Sequence, residues 1–175
     1  MDLIYKSTRN NQETATASEA ILKGLAGEGG LFVPSYIPKL DKSLKELSAM
    51  SYQEVAYEVM KLFMTDFTEE ELKHCINSAY DKKFDTESIA ELVKKEDAYY
   101  LELFHGATIA FKDMALSILP YFMTTSAMKN HVNYAIVILT ETSGATGTAA
   151  LAGFADVTGP KIIVFHPKPG VRQLH

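Results

Sequence analysis

From residue 98 to residue 165, three short apolar segments, AYYLELF, YAIVILT and KIIVF, alternate with two helix-like stretches, Asp113 to Met128 and Thr146 to Ala155. A strand, a helix and a second strand in succession favour parallel pairing, because the crossover helix carries the chain back to the starting end of the sheet. YAIVILT and KIIVF are β-branched and apolar nearly throughout, the composition of strands covered on both faces. This half of the chain is therefore predicted to be α/β, a partial doubly wound parallel sheet of order β-α-β-α-β. Pro120 has no N–H to give and should kink the first helix or shorten its start.

Up to Lys95 the periodicity is mostly helical, so two domains are expected, 1–95 and 96–175. Thr16 to Ala26 carries Ala20, Ile21 and Leu25 at helical spacing and stops at the glycines of GEGGLFVP. Leu31 to Val33 reads as a short strand inside that long turn. Ser51 to Met64 has Val55, Ala56, Val59, Leu62 and Phe63 on one face, the pattern of an amphipathic helix. Thr68 with Glu71 forms a capping-box signature for the next helix, and Thr86 to Lys95 is predicted as a further short one.

Composition narrows the function classes. With 175 residues, 47% of them hydrophobic and 22% charged, the chain has the balance of a soluble globular protein. A formal charge of −5 argues against a nucleic-acid binder, which needs dense basic faces. The opening MDLIYKSTRN has neither a cationic leader nor an apolar stretch, so no signal peptide is expected. The apolar run Ala135 to Leu139 falls far short of the roughly 20 residues that span a bilayer, so no membrane association is expected. Cys75 is the single cysteine, which excludes an intramolecular disulfide and fits a reduced, cytoplasmic setting. His74, His131, His166 and His175 show no paired ligand spacing, and no metal is expected.

Ligands of open α/β sheets bind beyond the carboxyl ends of the strands. Two loops lie there, LFHGATIAFKD at 103–113 and TETSGATG at 140–147. In the second, the small residues around Gly144 and Gly147 let backbone amides approach a carboxylate or phosphate at a helix start. An ordinary hydroxyl-capped turn has the same composition. In the first, Lys112 sits at a helix start among apolar neighbours, where the dipole and desolvation both disfavour its charge and leave more free amine for attack on a carbonyl. Pairing with Asp113 would be the plainer role.

The string LELFHGATIAFKD resembles the signature of the threonine synthase family, LELFHGPTxAFKD, whose lysine holds pyridoxal 5'-phosphate. ILTETSGATG is similar to the family's TSGDTG loop, whose counterpart in related fold-type II enzymes, the tryptophan synthase beta-like group, grips the substrate carboxylate. YKSTRN and SEAILKGLAGEGGLFVP resemble the family's leading domain, so the likeness runs the length of the chain. It implies that Lys112 carries the cofactor and that His105, Thr108 and Phe111 shape the wall around it. Ser143, Gly144, Ala145, Thr146 and Gly147 would lie against substrate or cofactor. The implied reaction converts O-phospho-L-homoserine and water to L-threonine and phosphate, with the Lys112 amine moving protons at the α and β carbons.

Ala107 replaces the family's usual proline, and Ala145 its aspartate. Family members are more than twice as long, so an amino-terminal fragment with weak or no turnover alone is expected. Two alternatives accompany this reading: a threonine-synthase-like phospho-lyase releasing a keto acid, and a truncated, non-catalytic association module. For the second of these, self-association through the incomplete sheet edge is expected.

Overall fold

A computed structural model describes residues 2–142 and 144–168. The elements run β1 (Tyr5–Ser7), β2 (Thr14–Ala15), α1 (Ala17–Lys23), β3 (Phe32–Pro34), α2 (Leu44–Leu47), α3 (Tyr52–Phe63), α4 (Glu69–Ala79), β4 (Glu91–Lys95) and β5 (Ala98–Glu102). They continue with α5 (Asp113–Leu116), α6 (Leu119–Lys129), β6 (Val137–Glu141), α7 (Ala145–Phe154) and β7 (Lys161–Phe165). Contacts group them into two units: the described residues up to Ile76 with Phe122–Val132, and Asn77–Tyr121 with the described residues from Asn133 onward.

The first unit is helical with a small antiparallel sheet of order β2-β1-β3, in which Tyr5 lies opposite both Ala15 and Pro34. Its helices begin in the same way. Thr16 with Glu19, Ser43 with Glu46 and Ser51 with Glu54 form reciprocal capping boxes. Thr68 and Glu71 complete the one expected from sequence, the Glu71 amide donating to Thr68 Oγ1 at 3.2 Å and the Thr68 amide to Glu71 Oε2 at 2.8 Å. Each satisfies amides that helix geometry leaves without a partner, worth about 1 kcal/mol apiece. Leu3, Leu72, Cys75 and Ile76 are fully buried here. Phe67 meets Phe122 of α6 edge-on, with centroids 5.9 Å apart. Polar contacts fasten the end of α6 to the same unit: Lys129 Nζ donates to Glu71 Oε2 at 2.9 Å, and Asn130 Nδ2 to Ser18 Oγ at 2.9 Å.

In the second unit β6 and β7 pair in parallel, Val137 opposite Lys161 and Glu141 opposite Phe165, with α7 as the crossover. This much of the predicted β-α-β-α-β order is seen. The first expected strand does not join them. β5 pairs antiparallel with β4 in a hairpin, Lys95 opposite Ala98. The helix predicted over Thr86 to Lys95 is thus replaced by the strand β4, because residues 91–95 find a backbone partner in β5 across a two-residue turn. Nor are the parallel strands covered on both faces: α7 packs on one side, while Val137, Leu139, Ile163 and Phe165 stay exposed on the other.

Helix 113–128 is broken where proline requires it, with α5 ending at Leu116 and α6 restarting at Leu119 just before Pro120. α5 and α7 pack closely at Gly153, where an added Cβ would sit 2.3 Å from the Leu116 carbonyl oxygen. No described helix is long and apolar enough to cross a membrane.

Candidate functional site

The loop between β5 and α5 is built around Asp113. This residue is buried, and both carboxylate oxygens accept from Thr108: the backbone N–H at 2.8 Å and the hydroxyl at 2.6 Å. The chain between them makes two tight turns, with the Ile109 amide on the Gly106 carbonyl at 3.1 Å and the Asp113 amide on the Ala110 carbonyl at 2.9 Å. Ile109 is held at φ 63°, a left-handed conformation that a β-branched residue adopts at a cost of about 1–3 kcal/mol. Gly106 admits the fold because any Cβ there would lie 2.5 Å from Asp113 Cβ. A strained turn persists only where its surroundings over-determine it, and here Asp113 and Thr108 do so.

Lys112 follows directly. It caps α5 with helical backbone, φ −66° and ψ −19°, and its carbonyl accepts from the Leu116 amide at 2.9 Å. Its side chain is half-buried, with Nζ 4.4 Å from the centroid of the Phe111 ring, a cation–π distance. The sequence suggested Asp113 as its plain partner. The structure corrects this, since the Asp113 oxygens are taken by Thr108. Phe104, Ile109 and Phe111 present exposed apolar surface along the same loop.

His105 is braced from two sides, its Nδ1 against Asp85 and its Nε2 2.9 Å from Glu102 Oε2. Both partners are carboxylates, so this double bracing favours the ring with both nitrogens protonated. The hydrogen bond to Glu102, then that to Asp85, holds its pKa above the ordinary value. A raised folded-state pKa gives stability that is full below the ordinary histidine value of about 6.5 and is lost as pH rises through the folded value. The stability difference between this chain and His105→Gln is therefore expected to be larger at mildly acidic pH and to shrink on alkalinisation. Thermal melts of both proteins across that window check it, and a pH-independent difference would count against the brace. Glu91 joins Glu102 and His105 to bring ligand-type atoms within 4.8 Å of one another, a grouping the sequence spacing did not show. His105 already spends both ring nitrogens on Asp85 and Glu102, so the group is closed by its own hydrogen bonds.

In the second loop the hydroxyl of Thr142 accepts from the Gly144 amide at 3.1 Å and the Gly147 amide at 3.3 Å. Two amides that sequence reasoning offered to a ligand are thus turned inward by a capping hydroxyl. Gly144 and Gly147 are buried, Thr146 is half-buried and Ala145 is exposed. Ser143 lies outside the described residues. Sequence reasoning missed Asp85 and Glu102, and it misassigned Asp113. The only local signal for Asp113 was a carboxylate at a helix start five residues after a threonine.

The family described as threonine synthase N terminus matches residues 4–80. Threonine synthase of Saccharomyces cerevisiae is 33% identical over 180 residues, covering 94% of this chain and 35% of that protein. Threonine synthase-like 2 of Rattus norvegicus is 34% identical over 169 residues, covering 94% of this chain and 34% of that one. The crystal structure of pyridoxal-phosphate-bound threonine synthase from Brucella melitensis superposes with a TM-score of 0.87 at 30% identity, over 99% of this chain and 37% of that one. The chain spans about a third of the length of the curated relatives it matches. It carries the family's amino-terminal match in residues 4–80 and, along nearly its whole length, is similar to the amino-terminal third of threonine synthases.

Proposed function

We propose that this chain supplies the cofactor lysine of a threonine synthase, with Lys112 as the residue that holds pyridoxal phosphate. The observation that carries this reading is the Lys112 amine, set beside an aromatic ring at the end of a turn locked by Asp113, in a string that resembles the family's signature. The residues present fit the aldehyde and ring of the group: a half-buried primary amine to condense with the aldehyde, and exposed Phe104, Ile109 and Phe111 to face a flat ring. When bound, pyridoxal phosphate supplies an electron sink for the substrate α-carbon.

The chain's own residues then have separable tasks. The Lys112 amine would take a proton from the substrate α-carbon and exchange protons at the β-carbon. His105, fixed by Glu102 and Asp85, holds the loop wall on one side, and Phe111 with Thr108 holds it on the other. Ala145 and Thr146, at the start of α7, would lie against the substrate. The substrate in this reading is O-phospho-L-homoserine, with L-threonine and phosphate as products. The β6–α7–β7 unit would be the opening of a doubly wound sheet.

Adding pyridoxal phosphate is expected to give a visible imine band that is absent from Lys112→Ala, and borohydride reduction followed by peptide mass spectrometry should place the adduct on Lys112. A band that survives the substitution unchanged would mean a different lysine and sink the assignment. A second reading, favoured by the similar identity to the rat threonine synthase-like 2 protein, keeps the loss of phosphate but releases a keto acid. Mass spectrometry of the organic product of the complete enzyme separates the two.

A further inference from the structure

We infer that Asp113 is a positioning residue: through Thr108 it holds residues 106–112 in the conformation that presents the Lys112 amine. This rests on the reading of Lys112 as the cofactor lysine. A buried carboxylate needs compensating donors, and both of those described for Asp113 come from a single residue five positions earlier. The bonds close a small ring of chain, Thr108 to Asp113, whose interior contains Lys112 itself. Ile109 inside that ring is held at φ 63°, so the ring stores strain that the Asp113–Thr108 bonds resist. Gly106 completes the fit, because the Asp113 side chain occupies the space where a Cβ would stand. A carboxylate needed only to favour a helix start would have no reason to be buried on the preceding loop. The geometry makes Asp113 the fixed point from which the direction of Lys112 is set.

The substitutions divide the bonds cleanly. Asp113→Asn removes the charge: its amide oxygen can still accept from the Thr108 N–H, but its NH2 group can meet the Thr108 hydroxyl only as a donor, so charge-assisted bonds become neutral ones. Thr108→Val deletes the hydroxyl and keeps the amide, whereas Thr108→Ser keeps both donors. The 175-residue chain is incubated with pyridoxal phosphate and reduced with borohydride, and adduct at Lys112 is measured by peptide mass spectrometry relative to the exposed Lys39. Hydrogen exchange at the Thr108 and Ile109 amides is read in the same proteins, and far-UV circular dichroism verifies their folding. Asp113→Asn and Thr108→Val are expected to lower relative trapping at Lys112 about tenfold, the scale of one lost charge-assisted hydrogen bond, and to speed exchange at Thr108 and Ile109. Thr108→Ser should match the unsubstituted chain. Equal trapping at Lys112 in every variant would overturn this inference and leave the cofactor lysine standing. A loss in Asp113→Asn without one in Thr108→Val, or an equal loss in Thr108→Ser, would overturn the route through the Thr108 hydroxyl. No preference for Lys112 over Lys39 in the unsubstituted chain would overturn the cofactor reading and this inference with it.

Discussion

Gly153→Ala is expected to destabilise the second unit by about 2 kcal/mol, and Gly153→Val by more. Intrinsic propensity points the other way, because alanine in a helix interior is favoured over glycine by about 1 kcal/mol. The packing cost is larger. The new Cβ would sit 2.3 Å from the Leu116 carbonyl oxygen and 3.1 Å from its carbon, and neither is a side-chain atom that can swing aside. One of the two helices has to retreat, and overpacking of that kind costs about 1–3 kcal/mol and at times more. Urea unfolding followed by far-UV circular dichroism gives the sign directly. A midpoint at or above that of the parent chain would mean that α7 can lift off α5 freely.

Phe122→Ala should cost the first unit about 3–5 kcal/mol, the usual range for removing a buried phenyl group. Phe122 and Phe67 are 7% and 8% exposed, and their edge-on contact adds about 1 kcal/mol beyond the area they bury. Since whole domains are stable by only about 5–15 kcal/mol, this one substitution would remove a large part of what holds α6 to the leading segment. Phe122→Leu, which fills part of the space, should lie between the two. The chain contains no tryptophan, so tyrosine fluorescence or circular dichroism is the practical signal. A loss below about 1 kcal/mol for the alanine variant would show that the pair is not a core contact.

What could be read in advance was local. Thr68 announced a helix start because a capping box needs only two residues three apart, the apolar spacing of Val55 to Phe63 announced the helix before it, and Pro120 announced a break because its ring acts on its own turn. The hairpin of β4 and β5 was not announced. Its turn residues are Glu96 and Asp97, with Glu96 at φ 53°, and neither the glycine nor the asparagine that marks such turns is present. Which strand lies beside which is a tertiary choice. The placement of AYYLE in a parallel sheet was a rule about alternating elements, and the ladder to ELVKK took precedence over it.

The candidate site divides along the same line. Lys112, His105, Thr108 and Phe111 were legible through one specific string of residues. The partners that orient them were not: Asp85 lies 20 residues from His105, and Thr142 directs its hydroxyl back into its own turn. Asp113 was visible but misread, since a carboxylate beside a lysine at a helix start suggests an ion pair until its burial against Thr108 is seen.

Cys75 belongs to the packed interior of the leading unit. Its sulfur is sealed from solvent and 3.4 Å from the Thr125 hydroxyl, and burial pushes the thiol pKa up. Thiol reagents need the thiolate and need access, and the native chain withholds both. Being the single cysteine, it makes the polypeptide its own chemical clock: the pace of alkylation counts openings of the leading unit, with no engineered label and no background from a second thiol.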